Sequence, residues 1–134
     1  MRTIKYRGKK LENGEWLYGD LVQDDEGGYY VYPIDCDGLY LNNKVDPYTI
    51  GQFTGLLDKD GKEIYEGDII QGEYNHKHLI RYIEEDARFT ATLVEYVGDK
   101  YAERCNTGDV TQKWINEFNK VVIGNMHDNP ELMN

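Results

Sequence analysis

Tyr48-Thr49-Ile50-Gly51-Gln52-Phe53-Thr54-Gly55-Leu56-Leu57 runs into Asp58-Lys59-Asp60-Gly61-Lys62 and leaves it as Glu63-Ile64-Tyr65-Glu66-Gly67-Asp68-Ile69-Ile70. The first segment reads as a strand carrying two glycines. The Asp-Gly pair suits a tight turn whose backbone needs positive φ, and the last segment reads as a returning strand. Gly67-Asp68 just before Ile69-Ile70 is the punctuation that opens a strand in small barrels. Phe53, Leu56, Ile64, Tyr65 and Ile69 are expected to supply core, and Gly61 and Gly67 to serve turns.

The same grammar extends in both directions. Upstream, Ile4-Lys5-Tyr6-Arg7 alternates into the turn Gly8-Lys9-Lys10. Asn13-Gly14 is a strong hairpin signal, and Glu15 to Val22 and Tyr29 to Tyr32 are the next strands, separated by Asp24-Asp25-Glu26-Gly27-Gly28. From Pro33 to Pro47 the chain reads as a loop or edge insertion in which only Leu39-Tyr40-Leu41 suits a short strand. Downstream, His78 to Ile83 and Arg88 to Val97 form an antiparallel hairpin with Glu84-Glu85-Asp86 at its tip, and Val121 to Asn125 is the closing strand. One segment reads as helix: Thr111 caps a run in which Trp114, Ile115 and Phe118 fall at i, i+1 and i+4. Short strands in this number, divided by Gly, Asp and Asn turns, define a mainly β chain of the small-barrel or sandwich kind.

Composition agrees. The chain has 134 residues, a single-domain length, and its 40% apolar and 30% charged residues are ordinary for a folded protein. Twelve tyrosines favour half-buried strand faces, where the ring packs and the hydroxyl stays wet. A net charge of −10 repels phosphate backbones and anionic lipid, which handicaps nucleic-acid and membrane roles and favours a basic protein partner. Cys36 and Cys105, far apart and without a secretory signal, read as two buried or idle thiols. The lack of an apolar h-region or long apolar window places the chain in the cytoplasm.

Candidate chemistry reduces mostly to folding. Asp58, Asp60 and Glu63 around Gly61 suggest a calcium loop, but setting Gly61 at the loop's sixth position puts Leu56 at its first, so a hairpin turn accounts for them better. His76 and His78, with His127 or a cysteine, suggest zinc, yet the spacing matches no structural site and an exposed loop is preferred. The carboxylates of Glu84-Glu85-Asp86 sit at a tip, the wrong place for a buried acid/base pair. No serine-histidine-aspartate arrangement or phosphate loop is present. The sequence therefore assigns no catalytic, cofactor-binding or metal-binding residues and no cofactor. Gln52, Thr54 and Asn125 are polar positions within an apolar motif. A hydrogen bond bridging the two parts of the chain explains them better than a small binding site.

Three segments together resemble the YopX-like proteins of phages and prophages: the stretch Ile50 to Ile70, the closing Val122-Ile123-Gly124-Asn125 with Asp128-Asn129-Pro130-Glu131-Leu132, and the opening Ile4-Lys5-Tyr6-Arg7. The resemblance spans nearly the whole chain. It implies an SH3-like small β-barrel over residues 56–134, which holds the one short late helix read above, a β-rich N-terminal extension over residues 1–55, a phage or prophage origin and a homo-oligomer. It implies no established activity. The expectation is thus a non-enzymatic, homo-oligomeric protein-binding or structural module whose partner is itself or a host or phage protein. Trp114, Ile115 and Phe118 either complete the barrel or form the subunit contact. The alternative is a small nucleic-acid-binding barrel, for which Lys5, Arg7, Lys9 and Lys10 are the only dense basic cluster.

Overall fold

The computed structural model describes residues 1–33 and 43–134; Cys36 and Leu39-Tyr40-Leu41 lie outside the described residues. The chain is mainly β, with two antiparallel sheets and few helices. It divides into two compact units, Met1–Phe53 and Thr54–Asn134, with the division falling inside one strand.

In the first unit, β1 (Tyr6–Lys9) pairs with β2 (Trp16–Gln23), and β2 with β3 (Tyr29–Tyr32). Beyond β1 lies the start of β4 (Gly51–Leu57), with Arg7 opposite Gly51 and Tyr6 opposite Gln52. The strand predicted at Ile4 to Arg7 is shifted and continues through Gly8. A Cβ at Gly8 would lie 3.0 Å from the Val45 side chain, so glycine lets the fully buried Val45 sit directly on the strand. Gly19 plays the same part on β2, where an added Cβ would fall 2.0 Å from the Tyr32 carbonyl oxygen. Asp24 organises the β2–β3 turn: its carboxylate accepts from Glu26 N (3.0 Å), Gly28 N (2.6 Å) and the Tyr30 hydroxyl (3.0 Å). The Gly28 amide, then Tyr30, hold this carboxyl below its ordinary pKa.

The expected strand at Tyr48 begins instead as a 3-10 turn, Pro47–Thr49. Asp46 accepts from Tyr48 N and Pro47 starts the turn with its φ already set.

The second unit begins with the end of β4 beside β5 (Glu63–Tyr65) and continues as a five-stranded sheet. Its strands are β6 (Asp68–Gln71), β7 (Lys77–Ile83), β8 (Arg88–Leu93), β9 (Thr107–Asp109) and β10 (Val121–Asn125), in spatial order β10-β6-β7-β8-β9. Among the described residues the edges β9 and β10 do not pair with each other, so the sheet is not a closed barrel. A three-residue β9 and a register shift between Val122 and Gly124 in β10 leave too little matched edge for closure.

Both faces of this sheet carry core. Ile64, Ile70, Ile80, Ala91 and Ile115 form one cluster, with Leu56, Val110, Trp114 and Val122 packed against it. Ile69, Leu79 and Val94 form the other, covered by Val97, Ile123, Leu132 and Met133. Among the described residues two α-helices stand where one was expected: α1 (Lys100–Cys105) and α2 (Gln112–Glu117). The predicted strand to Val97 stops at Leu93, because a 3-10 turn at Val94–Tyr96 swings Val94 into the second cluster.

Candidate functional site

The most recognisable stretch of sequence is occupied with folding. Asp58 is 5% exposed, and its carboxylate accepts from Asp60 N and Lys62 N through Oδ1 and from Val122 N through Oδ2, each at 2.9 Å. One side chain thus forms the tight turn and ties it to β10. Gly61 occupies that turn at φ 87° and Gly67 the next at φ 95°, where a side chain would be strained. Asp68 Oδ2 accepts from Tyr65 N at 2.8 Å, closing the Glu66-Gly67 turn between β5 and β6. The Thr54 hydroxyl donates to the Ile64 carbonyl at 2.8 Å and accepts from Leu56 N. Asn125 Oδ1 accepts from His127 N and Asp128 N in the closing turn.

Of the histidines weighed as zinc ligands and read as an exposed loop, His78 lies instead on β7. His76 is exposed. His78 meets the Trp114 ring edge-on at 5.1 Å, and its Nδ1 is buried without a hydrogen bond. Among the described residues no group of three or more His, Cys, Asp or Glu is arranged to hold a metal ion. Lys120 lies beside this pair, 4% exposed, with Nζ 4.9 Å from the Trp114 ring centre. Burial lowers the Lys120 pKa; burial, then Lys120 and His76, push His78 down to about 4.

The proposed contact segment is divided by the fold. Ile115 is fully buried in the first cluster, Trp114 packs against that cluster, and Phe118 is half-buried against Tyr74 at 6.2 Å. Ile115 has no surface left for a partner. Of the basic cluster, Lys5 stands 5.5 Å from the Phe53 ring centre, while Arg7 and Lys9 stand 4.6 and 5.6 Å from that of Trp16. Cys105 is exposed.

What the sequence did not flag is an open cleft of about 640 Å³ in the second unit, lined by the β7–β8 hairpin, α1 and the start of β9. The hairpin turns through a 3-10 segment, Glu84–Asp86, with Ala87 left-handed at φ 52°. α1 starts at Asp99, whose side chain accepts from Ala102 N, and ends where Thr107 Oγ1 donates to the Glu103 carbonyl. Glu103 fastens helix to hairpin, pairing with Arg81 at 3.0 Å while accepting from Gly98 N at 2.7 Å. The Gly98 amide, then Arg81, hold the Glu103 carboxyl below its ordinary pKa. Arg88 pairs with Asp86 at 3.5 Å and with Asp109. Around these matched charges the hairpin presents Glu84 and Glu85, and α1 presents Lys100 and Arg104, all exposed. Asp99 as an N-cap residue was the available signal for α1. The cleft itself depends on β9 folding back along β8, a long-range pairing with no local signature.

These features define a two-unit antiparallel β protein whose characteristic motif is structural and whose open charged surface lies elsewhere. The family model described as YopX protein matches residues 5–134, and the chain belongs to that family. Among solved structures it is similar to the crystal structure of protein EF1440 from Enterococcus faecalis, with 25% identity, coverage of 100% of both chains and a TM-score of 0.64. A search of curated proteins finds no match. No helix among the described residues is long and apolar enough to cross a membrane.

Proposed function

We propose that the chain is a non-enzymatic protein-binding module of phage or prophage origin, acting as a homo-oligomer in the host cytoplasm. The observation that carries this is how the polar groups are used. The carboxylates of Asp58 and Asp68 in the motif are taken up by backbone amides, whereas Glu84, Glu85, Lys100 and Arg104 stand exposed around an open cleft. The order β10-β6-β7-β8-β9, a meander whose last strand returns beside its first, with α2 just before that last strand, supports an SH3-like topology for Thr54–Asn134 in an open form. Light scattering behind a sizing column is the direct test: an assembly supports self-association, and a clean monomer refutes it. A pull-down from host lysate then asks whether the assembled surface holds a second protein.

A nucleic-acid role is the second reading, favoured by Lys5 just before β1 and Lys9 at its end, beside Phe53 and Trp16, although Arg7 between them is buried. The net charge of −10 opposes it. A gel shift at low salt that fades as salt rises supports this reading, and no shift at low salt excludes it.

A further inference from the structure

We propose that the cleft between the β7–β8 tip and α1 is the contact by which two copies of this chain associate, the acidic tip of each lying against α1 of the other about a two-fold axis. The inference rests on the self-association proposed above and names its surface.

The cleft keeps its two signs on separate elements: Glu84 and Glu85 come from the hairpin tip, Lys100 and Arg104 from the helix. None of these four has an ion-pair partner among the described residues, whereas the less exposed Arg81 and Glu103 between tip and helix are matched to each other. Lys100 and Arg104 are four residues apart on α1 and so share a helix face. An occupant must therefore offer positive charge to the tip and negative charge to the helix.

A small anion meets only the helix, and an acidic peptide long enough to fill the cleft is repelled by Glu84 and Glu85. The same cleft turned through a half-rotation presents both signs in the required order, because a two-fold contact brings each patch onto its complement. Tyr82 lines the cleft and is 39% exposed, and Tyr101, next to Lys100 on α1 but outside the cleft lining, is 79% exposed. Aromatic residues of this kind are enriched at interfaces and supply area that solvent-exposed ion pairs cannot replace. The charges set orientation and partner choice, and the exposed tyrosines at and beside the cleft add apolar area to the contact.

The test uses full-length protein and charge reversal at exposed positions: a helix variant (Lys100→Glu with Arg104→Glu), a tip variant (Glu84→Lys with Glu85→Lys), and both in one chain. Circular dichroism establishes that each is folded, and light scattering over a dilution series reads association. Each single-sided variant should weaken association at least tenfold. An equimolar mixture of the two, and the chain carrying both reversals, should recover it, because both contacts again pair opposite signs. If wild type associates and the reversals change nothing, the cleft is not the interface and self-association stands on another surface. If wild type is a monomer, both proposals fail. Weakening without recovery in the mixture overturns the two-fold pairing.

Discussion

Replacing Asp58 with alanine removes the acceptor of three backbone amides at once. Asp60 N and Lys62 N belong to a surface turn that water can reach after the change. Val122 N lies within β10, where replacement by water is poorer. Taking about 1 kcal/mol for each turn amide, which water can serve after the change, and about 2 kcal/mol for Val122 N, which it serves poorly, the loss is about 4 kcal/mol. Asparagine separates the terms. Its oxygen still serves the turn, but its amide nitrogen then faces the Val122 N–H, so Asp58→Asn should lose about 2 kcal/mol. Asp60, an exposed neighbour in the same turn, is the control, with Asp60→Asn expected within about 0.5 kcal/mol of the parent. Urea unfolding followed by Trp114 fluorescence, in a Trp16→Phe background so that only the second unit reports, measures all three. A loss below about 1 kcal/mol for Asp58→Ala would falsify the claim that this side chain ties the turn to β10.

Ile115→Ala opens a cavity in a closed cluster and should cost about 2 to 5 kcal/mol in the same assay. His78 titrates at about 4 in the folded chain against 6.5 ordinarily, so between those values the unfolded chain binds more protons and stability rises with pH. Stability should therefore fall as pH is lowered from 6.5 towards 4, and His78→Phe should flatten that part of the profile; an unchanged slope assigns it to other groups. Gly19→Ala sets a methyl against the Tyr32 carbonyl and should destabilise the first unit by more than about 2 kcal/mol, read from the Trp16 signal in a Trp114→Phe background.

Period and punctuation made most strands legible. Tyr29–Tyr32 falls where its residues predict, and the tip at Glu84–Asp86 lies between β7 and β8 as the charge cluster suggests. Departures occur where one side chain redirects the backbone. Asp68 cuts the run from Glu63 to Ile70 into β5 and β6 by capping Tyr65 N, and Asp46 with Pro47 replaces the head of β4 by a 3-10 turn. Val94 ends β8 because it is drawn into the second cluster, a demand set by residues as distant as Leu132 and Met133. None of these leaves a periodic trace, since hydrophobic alternation records which face a strand buries and not where a distant core pulls it off course.

The cleft was hidden for a related reason. Glu84, Glu85, Lys100 and Arg104 are ordinary surface charges in a linear reading, and a charge run is usually a solvated face. They become a patterned pair of walls only because the short β9 returns along β8 and Glu103 fixes α1 by pairing with Arg81. The motif that identifies the family has the opposite character. Its glycines and aspartates follow so closely from local backbone demands that they are easy to recognise and say little about recognition of a partner. Changes to Asp58 or Asp68 should therefore alter stability and association together, through loss of the fold, whereas changes to Lys100 or Glu85 should alter association alone. That separation distinguishes a surface that binds from a motif that folds.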